Sequence, residues 1–179
     1  AERKGTLDSS LAYLDTLARN YAGLSPALRL EPCDVNAVVE EVVRASIGGV
    51  KTSLAPGLPA AAADRVVLRR ILENLVGNAA DSVAGGGSGS VTVATEAVSS
   101  DGRRTVRVTV ADTGPGMSRA QFDRAFDDFF TTKDGGTGLG LSIVRRLVLD
   151  LGGTLRVDTE PGAGTRAIVE LPTAAEAQR

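Results

Sequence analysis

The sequence predicts an α+β fold, a two-layer α/β sandwich in which helices pack against a mostly antiparallel sheet. Segments in which valine alternates with small or polar residues mark strands, as at 91–93 and 106–110. Segments with apolar residues every three or four positions mark helices, as at 65–84. The strands and helices are mixed, with hairpin neighbours, instead of alternating as in a doubly wound sheet.

The first 23 residues carry a heptad stripe that predicts a helix with a partner helix. Its apolar members are Leu7, Leu11, Leu14, Ala18 and Tyr21. Because a lone helix cannot bury such a stripe, it packs either on its own domain or, as we favour, in an interhelical bundle. Gly23, Ser25 and Pro26 then break the chain. The sequence therefore predicts a bundle segment over residues 1–25 and a larger domain over residues 26–175.

Capped helices and short strands follow in the larger domain. We predict strands at 28–30 and 50–54. Helices are expected after Asp34 and after Asp64, because aspartate before a periodic apolar run is an N-cap signal. The apolar face of the first helix contains Val35, Val38, Val39, Val42, Val43 and Ile47. The second helix is expected over residues 65–84, and the glycine run at 85–89 predicts a flexible turn.

The second half of the domain predicts a hairpin, a long loop, a helix and two more strands. The hairpin turns at Asp101-Gly102. Residues 112–140 lack sustained periodicity, which is typical of a functional or mobile loop. Helical periodicity resumes at Leu141, strands are expected at 154–158 and 166–171, and the small, polar tail from Ala174 is expected to be frayed.

Composition excludes several classes of function. A net charge of −2 with 3% aromatic residues argues against nucleic-acid binding. The absence of histidine excludes imidazole catalysis and imidazole metal ligands. The single cysteine, Cys33, excludes an internal disulfide and fits a reducing, cytoplasmic compartment. The chain begins at Ala1 and its one methionine is Met117, so we expect a fragment whose parent could be anchored in a membrane.

Two segments carry polar groups suited to a metal and to an amine. Helix 65–84 has a core face of Leu68, Leu72, Leu75 and Ala79 and a second face of Ile71, Asn74, Asn78 and Asp81. Asparagine is disfavoured inside helices, and an amide oxygen suits Mg²⁺, although a solvated polar face has the same pattern. The segment from Asp112 to Gly116 follows a strand directly. Its carboxylate could accept from an exocyclic amine, or the segment could be a simple tight turn.

Two further segments carry groups suited to phosphate. Residues 126–133 hold three of the four phenylalanines, which would anchor a loop, and end at Lys133, a cation for phosphate. Residues 135–142 alternate glycine with other residues before a helix, so backbone N–H groups and the helix dipole could bind phosphate. This loop has neither the Walker A nor the Rossmann pattern, and on its own it could be a linker.

In this order the four segments resemble the boxes of sensor histidine kinases, members of the GHKL superfamily with its Bergerat ATP-binding fold. They are similar to the N box (Asn74 to Asn78), the G1 box (Asp112 to Gly116), the F box (Phe126 to Lys133) and the G2 box (Gly136 to Gly140). Gly164-Thr165 resembles the last glycine box, and the resemblance covers residues 28–172. The Phe-Phe-Thr-Thr-Lys run is especially similar to kinases of the nitrogen-regulatory type, and the leading helix to the second helix of a dimerisation and phosphoacceptor hairpin.

The resemblance implies a protein-histidine kinase domain that binds ATP and Mg²⁺. Asn78 would ligate Mg²⁺ with Asn74 in support, Asp112 would accept from the adenine amino group, and residues 117–136 would form an ATP lid. The implied catalytic residues are Asn74 and Lys133. The implied nucleotide-binding residues are Asn78, Asp81, Asp112, Gly114, Gly116, Phe126, Thr132, Lys133, Gly136, Thr137, Gly138, Leu139, Gly140, Leu141 and Thr165.

The implied partners are ATP, the phosphoacceptor histidine of the parent kinase, a response-regulator receiver domain and, in the full-length protein, a second copy of the kinase.

Hydrolysing GHKL members place a glutamate base where this chain has Asn74. The amide of Asn74 cannot act as a base, which favours phosphoryl transfer over hydrolysis. Glu73 points about 100° away around the helix. Asp81 stands where many relatives carry a basic residue, which would remove or alter one phosphate or metal contact. Asp128 stands where the F box usually has proline, which would make the lid looser or change how it opens. The alternatives are a non-catalytic nucleotide-binding regulatory module and a GHKL protein-serine kinase of the anti-sigma type, which has no need of the helix at 1–23.

Overall fold

A five-stranded sheet covered on one face by helices forms the body of the protein. The computed structural model describes residues 28–46, 49–84, 89–100, 102–132 and 138–177, so the helix predicted for residues 1–23 lies outside them. The elements are β1 (Glu31–Cys33), α1 (Val35–Ala45), β2 (Val50–Ser53), β3 (Ala61–Ala63), α2 (Arg65–Ala84), β4 (Val91–Ser100), β5 (Arg103–Asp112), α3 (Arg119–Phe122), α4 (Gly140–Asp150), β6 (Thr154–Glu160), β7 (Gly164–Pro172) and α5 (Ala174–Ala177).

The sheet has the strand order β2-β4-β5-β7-β6. β2 runs parallel to β4, and the other neighbours in the sheet are antiparallel. β1 and β3 form a separate antiparallel pair. The predicted hairpin between β4 and β5 is confirmed, with Gly102 in the left-handed region at φ +75°. This mixed sheet with its helical layer confirms the predicted α+β class.

Burial along the strands identifies the face that meets the helices. In β5, Val106, Val108 and Val110 are buried and alternate with partly exposed residues. Their partners in β7 are Leu171, Val169 and Ala167, which are buried as well. Side chains alternate between the two faces of a strand, so one face of the sheet forms the core.

The two predicted N-caps hold the long helices in place against that core. The carboxylate of Asp34 accepts from the N–H of Ala37 at 3.1 Å at the start of α1. The carboxylate of Asp64 accepts from the N–H of Val66 at 2.9 Å at the start of α2. Each such cap contributes roughly 0.5–2 kcal/mol. The predicted core face of α2, with Leu68, Leu72, Leu75 and Ala79, is buried, and Ile71 from the other face is buried with it.

A buried polar network ties α1 to the sheet. The hydroxyl of Thr95, on β4, donates to Oδ1 of Asn36 at 2.7 Å and accepts from the N–H of Ala55 at 3.0 Å. Nδ2 of Asn36 donates to the carbonyl of Ala55 at 2.9 Å. Thr95 is 5% exposed. These bonds satisfy polar groups that would be costly to bury alone.

Three local predictions need correction. The strand predicted at 28–30 lies at Glu31–Cys33 instead, because Cys33 faces the core while Leu28 and Leu30 are exposed. β3 was not predicted, since alanine has low strand propensity. The tail from Ala174 is not frayed at its start: it forms α5, and the N–H of Ala174 donates to the carbonyl of Ala60 at 2.9 Å. Ile47, predicted for the first helix, lies outside the described residues.

Within the described ranges, no helix is both long enough and apolar enough to cross a bilayer.

Candidate nucleotide-binding site

Two amides of α2 meet the first residue of α4. Asn74 and Asn78 lie one turn apart, and a Cβ placed on Gly140 would lie 3.1 Å from Nδ2 of Asn78 and 3.7 Å from Oδ1 of Asn74. Nδ2 of Asn74 donates to the carbonyl of Arg70 at 2.9 Å, which leaves Oδ1 on the side of Gly140. The glycine therefore lets the backbone at the start of α4 approach both amides closely.

A carboxylate closes the opposite side of the site at the end of β5. Asp112 is only 9% exposed. Its Oδ1 accepts from the hydroxyl of Ser82 at 3.0 Å and from the N–H of Gly114 at 2.8 Å. Sheet register places Thr165 of β7 directly opposite Asp112. The end of β5, the start of β7 and the last turn of α2 thus meet at one point.

A threonine pair anchors the segment that leaves β5. The hydroxyl oxygens of Thr159 and Thr165 lie 3.1 Å apart, and Thr159 Oγ1 accepts from the N–H of Met117 at 2.9 Å. The carbonyl of Pro115 accepts from the N–H of Gly162 at 2.7 Å. The loop carrying the G1-box residues is therefore fastened to the β6–β7 turn, and the predicted lid begins at a fixed point.

The phenylalanines in the described part of the lid, residues 117–132, differ in how far they are buried. The rings of Phe122 and Phe126 meet edge to face at 6.1 Å, and both pack against the core. The guanidinium of Arg124 lies 4.3 Å from the ring centre of Phe130. Phe129 is 55% exposed, whereas Phe126 and Phe130 are partly buried.

The F-box and G2-box segments touch directly. Phe129 has φ +70°, a conformation that is uncommon for a bulky residue. Gly138 also has positive φ, at +66°, and a Cβ on it would lie 2.3 Å from the carbonyl carbon of Phe129. Only glycine fits this approach, which places the chain at position 138 directly against Phe129 of the lid.

These elements surround one cavity of about 560 Å³, within the usual size range of small-molecule sites. Gly114 and Phe126 lie outside its lining: Gly114 packs against Ser82 and Asp112, and Phe126 packs against Phe122 within the lid. Lys133, Gly136 and Thr137 fall outside the described residues. The residues predicted from sequence that line the cavity are Asn74, Asn78, Asp81, Asp112, Gly116, Thr132, Gly138, Leu139, Gly140, Leu141 and Thr165.

Sequence reasoning missed several lining residues. Ser82 had a usable signal, since it follows Asn74 and Asn78 at the same four-residue spacing. Pro115, Met117, Phe130 and Thr131 lie within or beside predicted boxes. The apolar wall had no local signal, because its members look like ordinary core residues: Leu75, Ala79, Val110, Ala125, Ile143, Val157 and Ala167.

Glu73 is directed away from the cavity, as its helical position predicts. Its carboxylate pairs with Arg69 at 2.8 Å on an exposed part of α2. That hydrogen bond raises the pKa of the Arg69 guanidinium. At the adjacent position, burial lowers the pKa of the Arg70 guanidinium. Asn74 lines the cavity and Glu73 does not, so the side chain that α2 presents to the cavity at this point is an amide, which cannot act as a base.

The donor set fits Mg²⁺ held mainly by a ligand's phosphates. Among the described residues, no cluster of three or more His, Cys, Asp or Glu side chains could hold a metal. Mg²⁺ commonly takes only one or two protein ligands and completes its shell with phosphates and water. The amide oxygens of Asn78 and Asn74 are hard donors of this kind.

A second recess, of about 780 Å³, adjoins the first and shares Asp112, Met117 and Thr165 with it. Its other lining includes charged residues such as Arg156 and Asp158, which pair with each other at 2.6 Å on the exposed side of β6. Neither the α2 amides nor the glycines at the start of α4 reach it. The smaller cavity is therefore the candidate site.

Comparison with known proteins agrees with this geometry. Residues 63–175 match the family described as histidine kinase-, DNA gyrase B- and HSP90-like ATPase. The sensor histidine kinase ZraS of Klebsiella oxytoca is 40% identical over 117 residues, 65% of this chain and 24% of ZraS. The sensory histidine kinase/phosphatase NtrB of Rhizobium leguminosarum bv. phaseoli is 30% identical over 154 residues, 74% of this chain and 39% of NtrB.

The solved structure of full-length ShkA in complex with AMPPNP has 33% sequence identity and a TM-score of 0.71, covering 97% of this chain and 39% of ShkA. Among the curated relatives, this chain spans between 18% and 39% of their length. The family match covers more than half of the chain. The chain belongs to the histidine kinase-, DNA gyrase B- and HSP90-like ATPase family, as an ATP-binding domain of the sensor histidine kinase type.

Proposed function

We propose that this domain binds Mg·ATP in the 560 Å³ cavity and donates the γ-phosphate to a histidine outside the chain, from which it passes to a response regulator. The observation that carries the proposal is the meeting of two α2 amides, the Asp112 carboxylate and the glycine-rich start of α4 around one cavity. The ShkA structure, which holds the ATP analogue AMPPNP, supports a nucleotide as the ligand.

In the proposed complex the adenine lies against the apolar wall and its amino group donates to Asp112. The helix dipole and free N–H groups at the start of α4 favour the phosphates, with Lys133, Gly136 and Thr137 contributing from the loop before it. Mg²⁺, held by Asn78 with Asn74 in support, would neutralise charge on the β- and γ-phosphates. Asp81 would alter the phosphate contact, and Asp128 would change the mobility of the lid.

Transfer to histidine fits the residues better than hydrolysis. In the transfer, an imidazole nitrogen forms a P–N bond to the γ-phosphorus as the P–O bond to ADP breaks, and the imidazole proton is released to solvent. Positioning and charge neutralisation supply most of the catalysis in phosphoryl transfer. Hydrolysis would need a base for water, and Asn74 cannot act as one. The chain contains no histidine, so the acceptor is supplied from outside it.

Calorimetry with Mg·ATP tests the binding step. We expect binding by the wild-type chain and losses of at least about tenfold in affinity, ~1.4 kcal/mol, in Asn78→Ala and Asp112→Ala. Asp150→Ala is the matched control, because this carboxylate pairs with Arg146 at the far end of α4. Equal affinities in all four proteins would contradict the proposed site.

Labelled ATP tests the transfer step. The chain should not label itself and should label a supplied phosphoacceptor hairpin, which carries the histidine. A non-catalytic regulatory module would bind Mg·ATP normally but leave the hairpin unlabelled. A protein-serine kinase would produce label that is stable to acid, whereas phosphohistidine is lost in acid.

A further inference from the structure

In the last turn of α2, the hydroxyl of Ser82 lies against the carboxylate of Asp112, which is proposed to accept a hydrogen bond from adenine. Ser82 lies one turn beyond Asn78 and lines the candidate cavity. Its hydroxyl donates to Oδ1 of Asp112 at 3.0 Å across 30 residues of sequence. The N–H of Gly114 donates to the same oxygen at 2.8 Å. Two donors therefore fix one oxygen of a carboxylate that is 9% exposed.

The other carboxylate oxygen is left for a ligand. Among the residues that the structure describes, no donor reaches Oδ2 of Asp112. A carboxylate with one oxygen held by a hydroxyl and an amide cannot rotate without breaking both bonds. Such charge-assisted bonds are roughly twice as strong as neutral ones, so the orientation of Oδ2 is set before a ligand arrives.

Gly114 leaves the space that the Ser82 hydroxyl occupies beside Asp112. A Cβ on Gly114 would lie 1.9 Å from Oγ of Ser82 and 2.8 Å from Oδ1 of Asp112. A side chain at position 114 would therefore displace the hydroxyl from the carboxylate. Gly114 lies outside the cavity lining but maintains the contact from behind.

We infer that Ser82 is a specificity-determining residue that positions Asp112, so that Oδ2 accepts a hydrogen bond from the exocyclic amine of an adenine nucleotide. The inference rests on the proposed function, because it requires the base to lie beside Asp112. Ser82 acts through Asp112 and not on the reacting phosphate. A purine without the amine gains nothing from the positioned oxygen, so the effect of Ser82 is specific to the 6-amino group.

Binding of two nucleotides tests this role. Calorimetry compares Mg·ATP with the Mg²⁺ complex of purine riboside triphosphate, which lacks the 6-amino group, for the wild type and Ser82→Ala. We expect the variant to lose about five- to tenfold in affinity for ATP, which matches the net contribution of a typical hydrogen bond, and to keep its affinity for the purine analogue. Ser46→Ala is the matched control, because it removes a hydroxyl bonded to the carbonyl of Val42 at 2.8 Å, at the end of α1, and should change neither affinity.

A double-mutant cycle tests whether Ser82 acts through Asp112. Once Asp112→Asn has removed the charged acceptor, adding Ser82→Ala should change ATP affinity by less than about twofold. Gly114→Ala gives an independent result should Ser82→Ala fail to fold. The added methyl group would displace the Ser82 hydroxyl from Asp112, so the preference for ATP over the purine analogue should fall.

Three results would overturn the inference, and they are distinguishable. Equal losses for both nucleotides in Ser82→Ala, or additive effects in the cycle, would show a general structural role and leave the proposed function standing. Equal binding of ATP and the purine analogue by the wild type would show that the 6-amino group makes no contact that contributes to affinity. A wild-type chain that binds neither nucleotide would overturn the proposed function together with the inference.

Discussion

Replacing Gly140 with alanine should raise stability and weaken nucleotide binding at the same time. Gly140 is the first residue of α4 and its φ is not in the left-handed region. Alanine is favoured over glycine in helices by at most about 1 kcal/mol. Taken alone, this change should raise the free energy of unfolding by up to about that amount.

The binding effect has the opposite sign because of what the new methyl group meets. It would lie 3.1 Å from Nδ2 and 3.5 Å from Oδ1 of Asn78, so the amide must move by a few tenths of an ångström. Mg²⁺ requires ligands near 2.0–2.1 Å in almost ideal octahedral geometry. We therefore expect Mg·ATP to bind about 5- to 20-fold more weakly, which corresponds to ~1–2 kcal/mol.

Urea unfolding and calorimetry measure the two effects separately. Gly77→Ala is the matched control, since Gly77 lies inside α2 between the two asparagines and a Cβ there meets nothing within 4 Å. It should raise stability by a similar amount and leave affinity for Mg·ATP unchanged. If Gly140→Ala binds Mg·ATP as tightly as the wild type, the close approach of α4 to the asparagines does not hold a ligand.

Three further predictions concern stability. Gly164→Ala should cost more than about 2 kcal/mol in urea unfolding, because a Cβ there would lie 2.0 Å from the carbonyl oxygen of Asp112 at φ +81°. Gly162→Ala, with φ +79° and open space, should cost only about 1–2 kcal/mol. Thr95→Val should cost about 1–3 kcal/mol by leaving buried polar groups unpaired, without changing nucleotide affinity, and an unchanged urea midpoint would contradict this. Burial raises the pKa of the Cys33 thiol above its usual value. Stability relative to Cys33→Ala should therefore be constant below the pKa of the unfolded thiol, about 8.5, and fall above it, because the unfolded thiol loses its proton first. A constant difference up to pH 10 would refute this.

Local signals in the sequence predicted the helices and the hairpin well. Asp34 and Asp64 cap their helices because a short carboxylate before a periodic run has nearby N–H groups to bind. The spacing of Asn74 and Asn78 placed both amides on one stripe, since the helical period is fixed. These features depend only on residues within one or two turns, so they could be predicted without the tertiary structure.

Features that depend on distant partners could not be predicted in this way. The pairing of β1 with β3 depends on burial of Cys33 against the domain, and nothing in an alanine triplet indicates a strand. The contact of Ser82 with Asp112 joins positions 30 residues apart. The close approach of Phe129 and Gly138 also joins two segments that are separate in the sequence, and it requires Phe129 to adopt the left-handed region.

Sheet register determines whether the site exists at all. Asp112 and Thr165 lie on the same face of the sheet, because they are direct partners across β5 and β7, and a slip of one residue between the two strands would put them on opposite faces. Gly164 opposes such a slip, since its backbone lies too close to the carbonyl of Asp112 for any side chain. Gly164 of the last glycine box thus has a structural role that is separate from any contact with nucleotide. It fixes the register on which the placement of the carboxylate in the cavity depends.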